Sequence, residues 1–176
     1  IGLKHIGLDI HGYRGDALIA KLDEILSAGN ICGIVYSNPN NPSWVCFNEE
    51  ELEGLGKLAD KHDVIILEDL AYFAMDFRRD LSHPFEAPFQ ATVARYTENY
   101  ILAISGSKAF SYAGQRIGVT CISNKLYHRV YPALKDNYGV GEFGNFFCNR
   151  LMYTLSSGTT HSVQHAMAAL MEAACD

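Results

Sequence analysis

The sequence predicts an α/β fold, a three-layer α/β/α arrangement around a mostly parallel sheet. Three observations lead there. Short apolar runs that read as buried strands alternate with amphipathic helical stretches, at the spacing of strand–helix–strand units. The chain has 176 residues, 48% of them apolar and 19% charged, which suits one compact domain with a sizeable core. Polar or turn-forming residues follow the apolar runs, as they do where open sheets of this kind bind ligands beyond their strand ends.

Taken in order, residues 6 to 10 alternate weakly and read as a strand, closed by the turn His11-Gly12-Tyr13-Arg14-Gly15. Asp16 opens an amphipathic helix with Leu18, Leu22, Ile25 and Leu26 on one face and Gly29 as its stop. Residues 31 to 36 are a short apolar strand, halted by Asn38-Pro39-Asn40-Asn41-Pro42. Asn48 and Glu51 have the spacing of a reciprocal cap and open a helix to about His62, with Leu52, Leu55, Leu58 and Ala59 facing inward. Residues 64 to 67 form another buried strand, ending in Glu68-Asp69. Residues 73 to 99 are less regular, and Pro84 and Pro88 break any long helix there. Two further strands follow, residues 100 to 104 and 117 to 122. From Asn124 onward the pattern is helical, with glycines at 139, 141, 144 and 158.

The bulk properties exclude several classes. A formal charge of −6 leaves no electrostatic footprint for nucleic acid. No apolar run is long enough to cross a bilayer, and the first residues do not read as a signal peptide. Cys32, Cys46, Cys121, Cys148 and Cys175 are widely spaced and odd in number, which favours reduced thiols and a cytoplasmic protein. The opening on Ile1 and the closing apolar run through Cys175 suggest a piece of a larger enzyme. His161 and His165 stand four apart, but the segment between them lacks a metalloprotease glutamate and no third ligand is evident. Gly139, Gly141 and Gly144 have a dinucleotide-fingerprint spacing without the strand that must precede it.

The candidate chemistry centres on Ser105-Gly106-Ser107-Lys108, directly after a strand, with Arg116 eight residues beyond the lysine. An amine hemmed by small residues at a strand end is placed to meet a ligand rather than bulk water. Serine hydroxyls and a guanidinium in the same loop are groups suited to a phosphate. The working idea is a lysine that forms an imine with a phosphate-bearing carbonyl cofactor, which requires a neutral amine at the moment of attack. Asn41, Asp69 and Lys108 each lie at the carboxyl end of a strand, so three segments converge on one edge. Singly, these residues also have plain readings: Asp69 as the cap of a turn, Lys108 as a solvated lysine, Tyr72 as core, Ser105 as a hydroxyl satisfying backbone.

The ordered set resembles the large domain of the fold-type I pyridoxal-phosphate enzymes, specifically the class I/II aminotransferases. Asn41-Pro42-Ser43-Trp44 resembles the family's Asn-Pro-Thr-Gly element, and Asp69-Leu70-Ala71-Tyr72 matches Asp-x-Ala-Tyr. Ser105-Gly106-Ser107-Lys108 matches Ser-x-Ser-Lys, and Arg116 falls on the family's phosphate arginine. The resemblance implies pyridoxal 5′-phosphate as cofactor. Asn41 and Tyr72 would contact its 3′-oxygen and Asp69 its pyridine nitrogen, while Ser105, Ser107 and Arg116 would hold the phosphate. Lys108 would form the internal aldimine and then carry the proton of the reaction. Trp44 departs from the family glycine, so the loop is expected to do without glycine-only backbone angles.

By the same resemblance, residues 1–176 are a single, partial large domain, with an N-terminal segment and the C-terminal small domain absent. The implied activity is transfer of an amino group between an amino acid and a 2-oxo acid, in a protein that is a homodimer when full length and inactive as this piece alone. A pyridoxal-phosphate C–S β-lyase or decarboxylase of the same fold, and a non-catalytic aminotransferase-like regulatory domain, are the alternatives. The apolar segment from Phe143 to Leu155 is expected either in the core or at an interface.

Overall fold

The computed structural model describes residues 3–83 and 86–173. The helix-breaking role given to Pro84, and the part of the closing apolar run at Cys175, lie outside the described residues. Four strands, β1 (Gly33–Ser37), β2 (Ile65–Leu70), β3 (Tyr100–Ser105) and β4 (Gly118–Ile122), pair side by side in chain order. The first three run parallel and β4 runs antiparallel to β3. The difference follows from the connections. Helix α2 (Glu49–His62) carries the chain back between β1 and β2, whereas β3 reaches β4 through only the short helix α3 (Gly106–Ala109) and a turn. The sheet is thus mixed and mostly parallel, with helices packed on it, as expected.

Helix α1 (Asp16–Leu26) begins at the predicted aspartate. Helix α2 begins with the predicted reciprocal cap: the Asn48 side chain accepts from the Glu51 N–H at 2.7 Å, and Glu51 Oε2 accepts from the Asn48 N–H at 3.0 Å. The two helices bury Leu18, Leu26, Leu52, Leu55, Leu58 and Ala59 against Ile66, Leu70 and Leu102 of the sheet. The strand period of two decides which side chains join this core. Ile66, Glu68 and Leu70 are fully buried on the helix-covered face. Ile65, Leu67 and Asp69 alternate onto the opposite face, as do Val35 and Ser37 of β1. Asp69 therefore faces away from the α1–α2 core while its neighbour Glu68 lies within it.

Two expectations are corrected. Residues 6 to 9 have no strand partner; Leu8 and Ile10 pack on the core from irregular chain. Weak alternation supplies inward side chains, but a strand also needs a ladder to complete. A strand boundary moves too: β2 continues through Glu68 and Asp69 to Leu70, so the acid is part of the strand rather than its sequel.

Beyond the sheet come α4 (Asn124–Tyr127), α5 (Pro132–Tyr138), α6 (Phe143–Phe146), a π-helical stretch (Phe147–Met152), α7 (Tyr153–Ser156) and α8 (His161–Ala173). Val163 and Met167 of α8 are buried with Ile117 in a second, smaller cluster. Of the apolar segment expected in core or interface, Met152, Tyr153 and Leu155 are exposed. Among the described residues, no helix is long and apolar enough to cross a membrane.

Candidate functional site

The sheet register brings the polar strand ends together. Ser37 of β1 stands opposite Asp69 of β2, and Asp69 stands opposite Ala103 of β3. Three residues past Ser37 the chain turns through Asn40, whose side chain organises the loop. Asn40 Nδ2 donates to Ser37 Oγ at 3.1 Å, and Asn40 Oδ1 accepts from Ser43 Oγ at 2.6 Å. The Asn40 N–H donates to the Val45 carbonyl at 2.9 Å, and the Trp44 N–H donates to the Asn40 carbonyl at 2.8 Å. Asn41 is consequently presented at the rim, its backbone N–H on Ser37 Oγ at 3.3 Å and its side chain exposed.

That network holds Trp44 at φ 56°, in the left-handed region. The expectation that replacing glycine keeps the loop out of such angles is therefore corrected. A non-glycine residue pays about 1–3 kcal/mol for a sparsely populated backbone conformation and persists where its surroundings over-determine it. Here the surroundings include two rings. The Trp44 indole meets the Tyr72 ring edge-on at 5.1 Å and lies parallel to Phe77 at 5.8 Å.

Asp69 Oδ1 accepts from the Ala71 N–H at 2.9 Å, which fixes the carboxylate and turns the chain toward Tyr72. Its second oxygen makes no hydrogen bond among the described residues and is available to a donor in the cavity. Beyond β3, Ser105 Oγ accepts from the Ser107 N–H at 3.1 Å and caps the short helix α3. Ser105 thus satisfies backbone, as its plain reading held, while its hydroxyl proton stays free to donate. Lys108, in α3, places its Nζ 6.0 Å from the centre of the Tyr72 ring. Arg116 lies in a left-handed turn (φ 53°), with Nη1 on the Ala113 carbonyl at 3.2 Å. Gly118 permits the close crossing that follows, since a Cβ there would meet the Ile104 carbonyl oxygen at 2.8 Å, whereas Gly114 has open space around it.

Asn41, Asp69, Tyr72, Ser105, Ser107, Lys108 and Arg116 all line one cavity of about 390 Å³. Ser37, Ala71 and Ala113 complete the lining. Ser37 was not picked out from the sequence; its position as last residue of β1, on the face of Asp69, is the signal that would have found it. Lys108 and Arg116 are exposed at the cavity mouth rather than shielded, which corrects the picture of a lysine hemmed in by small residues.

The volume lies in the roughly 300–1,000 Å³ range of small-molecule sites. The donor set suits a phosphorylated pyridine aldehyde: a guanidinium and two hydroxyls for the phosphate, a carboxylate oxygen for a ring N–H, and an amine for the carbonyl. The group fits these residues.

Beneath this edge lies a buried polar pair that the sequence reading did not single out as a unit. Asn38 and Glu68 are 1% and 0% exposed. Asn38 Nδ2 donates to Glu68 Oε1 at 3.2 Å, and Glu68 Oε2 accepts from the Val93 N–H at 2.9 Å. Burial pushes the Glu68 carboxyl up to about 7, against the opposing pull of the Val93 and Asn38 donors. The Tyr36 hydroxyl is buried beside it without a hydrogen-bond partner among the described residues, and burial followed by the Glu68 charge pushes that phenol well up.

A family model, aminotransferase class I and II, matches residues 10–174. A histidinol-phosphate aminotransferase of Macrococcus caseolyticus is 34% identical over 141 residues, 80% of this chain and 35% of that protein. An aromatic-amino-acid aminotransferase of Thermococcus litoralis is 36% identical over 84 residues, 47% of this chain and 20% of that protein. A probable aspartate aminotransferase of Methanocaldococcus jannaschii is 26% identical over 93 residues, 53% of this chain and 22% of that protein. The chain thus spans between a fifth and about a third of the length of these relatives. Among solved structures, an aspartate aminotransferase from Rhodobacter sphaeroides aligns at 26% identity and a TM-score of 0.48, covering 69% of this chain and 29% of that one.

Proposed function

The chain belongs to the class I and II aminotransferases, and from that premise we propose that the cavity binds pyridoxal phosphate and serves amino transfer between an amino acid and a 2-oxo acid. The observation that carries the reading is the convergence of Lys108, Asp69 and Arg116, from three separate segments, on one cavity. When bound, the cofactor supplies an electron-poor ring able to delocalise the charge left when a substrate loses a proton from its α-carbon.

The chain's own residues supply the rest. Lys108 Nζ would hold the cofactor at its carbonyl carbon, and it is the base at hand to take and return a substrate's α-proton. Asp69, with one oxygen tied to Ala71 and the other free among the described residues, would pair with a protonated ring nitrogen and so keep the ring electron-poor. Arg116 and the serine hydroxyls bind the phosphate and fix the ring's distance from the amine. Asn41 and Tyr72 would contact the ring oxygen. Residues 1–176 act in this reading as the cofactor-holding part of the larger domain. Assembly as a homodimer belongs to the same proposal, and exposed Met152, Tyr153 and Leu155 offer an apolar surface for it.

The names of the relatives support amino transfer and differ in substrate. The test uses the full-length protein: pyridoxal phosphate is titrated in while visible absorbance is followed, then amino acids are supplied with a 2-oxo acid. A saturable band lost in Lys108→Ala, with amino transfer to the oxo acid, is expected. Absence of the band overturns the reading. Pyruvate and ammonia released from a thioether amino acid, without amino transfer, replaces it with a lyase.

A further inference from the structure

The residues proposed to face the cofactor sit on segments joined near the cavity by the Ser37–Asp69 strand register and by the Trp44–Tyr72 ring contact. Asn41 is exposed on its loop, and the one side-chain hydrogen bond of Asp69 among the described residues is to its own turn. A further tie between the two segments lies one layer down. Asn38 directs its polar groups toward different parts of the fold. Its backbone N–H donates to the Asp69 carbonyl at 3.0 Å. Its Oδ1 accepts from the Phe47 N–H at 3.1 Å, which closes the loop carrying Asn41 just before α2 begins. Its Nδ2 donates to Glu68, whose other oxygen holds the Val93 N–H of the long connection before β3. The Phe47 bond also settles which end of the Asn38 amide is oxygen.

We infer that the buried Asn38–Glu68 pair is a positioning device that holds the Asn41 loop and Asp69 in one fixed register. Neither side chain reaches the cavity; both act through backbone. Glu68 stands on the core face of β2 and Asp69 on the cavity face, so a tilt of one is felt by the next. A loosely held acid or amide costs binding even when every contact residue is present, because the donors must meet the ligand together.

The inference rests on the pyridoxal-phosphate reading for its ligand, and the test separates the two. Glu68→Gln places an NH₂ group against the Asn38 NH₂ or against the Val93 N–H, so one of the two buried bonds is lost. Asn38→Asp combined with Glu68→Gln reverses the polarity. The carboxylate introduced at position 38 then accepts from the Phe47 N–H and from the amide introduced at position 68, whose oxygen accepts from the Val93 N–H. The Tyr36 hydroxyl, near position 68 and without a hydrogen-bond partner among the described residues, is at hand for the spare N–H of that new amide.

In the full-length protein, amide hydrogen exchange at Phe47 and Val93 and pyridoxal phosphate affinity are measured well below the melting temperature. Glu68→Gln is expected to speed exchange at both amides and weaken cofactor affinity about tenfold, the size of one lost buried bond. The double variant is expected to return both. If Glu68→Gln does not fold, the double variant decides alone: wild-type affinity upholds the pairing, and failure to bind overturns it. A Glu68→Gln protein with lowered melting temperature and unchanged affinity overturns the positioning role, leaving ordinary core stabilisation. A wild-type protein with no Lys108-dependent absorbance overturns the cofactor reading instead, while the exchange data still report whether the pair closes the loop.

Discussion

Two glutamates in this molecule are both closed off from solvent and oppositely governed. Glu51 lies at the start of α2 with 1% exposure, and Glu68 lies in β2 with 0%. Burial opposes ionisation in both. At Glu51 it is outweighed: Arg14 donates from Nε and Nη2 at 2.7 and 2.6 Å, the Gly15 and Asn48 N–H groups add two more bonds, and the carboxyl is held at about 2. At Glu68 the donors are one amide and one backbone N–H, no cation faces it among the described residues, and burial keeps it up at about 7. The fold places its full counter-charge at the corner where α1 meets α2, away from the cavity. Under the cavity it leaves a carboxyl close to neutrality. Burial fixes the cost of a charge; the partners decide whether the charge is kept.

The comparison predicts that site chemistry and fold stability can be broken separately. The largest effect is expected from Lys108→Ala in the full-length protein. Amino transfer should fall by at least about 10²–10⁴-fold, the general acid–base part alone, while the urea midpoint stays put. A matching loss of stability would show that the site is not separable from the core.

Arg14→Ala should do the reverse. It strands Glu51 in the core, and removing one partner of a buried pair costs about 3–5 kcal/mol. The lower end is expected here, because Arg14 is itself partly exposed. Cofactor affinity at low temperature should be unchanged, and a stability loss below about 1 kcal/mol would reduce the corner to a surface contact.

The pH dependence of stability should carry both signs. Glu51 is depressed from its ordinary 4.5 to about 2, so its contribution is present above 4.5 and is lost as pH falls toward 2. Glu68 is raised from 4.5 to about 7, so its contribution is present below 4.5 and is lost as pH rises to 7. Each amounts to roughly 3 kcal/mol at most. Denaturation series across this range should lose the acid limb in Glu51→Gln and the neutral-side decline in Glu68→Gln. The same slope in wild type and Glu68→Gln would mean that Glu68 is not the group responsible.

The smallest effect is expected at Trp44→Gly. Relief of the left-handed backbone, worth about 1–3 kcal/mol, is offset by two lost ring contacts of about 0.5–1.5 kcal/mol each. Thermal unfolding should therefore shift by the equivalent of about 1 kcal/mol or less.

Much of this was legible in the chain itself. The α2 start could be read from the Asn48–Glu51 spacing because capping is a contact between near neighbours, and the α1 start from Asp16, an acid suited to a helix's first turn. The apolar runs that became β1 to β4 did so because a run of that length has few other ways to be buried. The false strand at residues 6 to 10 shows the limit: alternation is local, but a ladder partner is not. Trp44 shows another, since its left-handed backbone depends on hydrogen bonds gathered by Asn40 and on rings contributed by residues 72 and 77.

The sequence by itself determined the alternation of strands and helices, the caps, and the set of polar residues at the strand ends, all of which are written in neighbours along the chain. Only the tertiary structure decided that those residues share one cavity, that Lys108 stands exposed in it, and that Asn38 and Glu68 brace it from below. Those facts depend on the register of parallel strands that lie far apart along the chain, and register is set by packing of the whole sheet rather than by any one stretch of it.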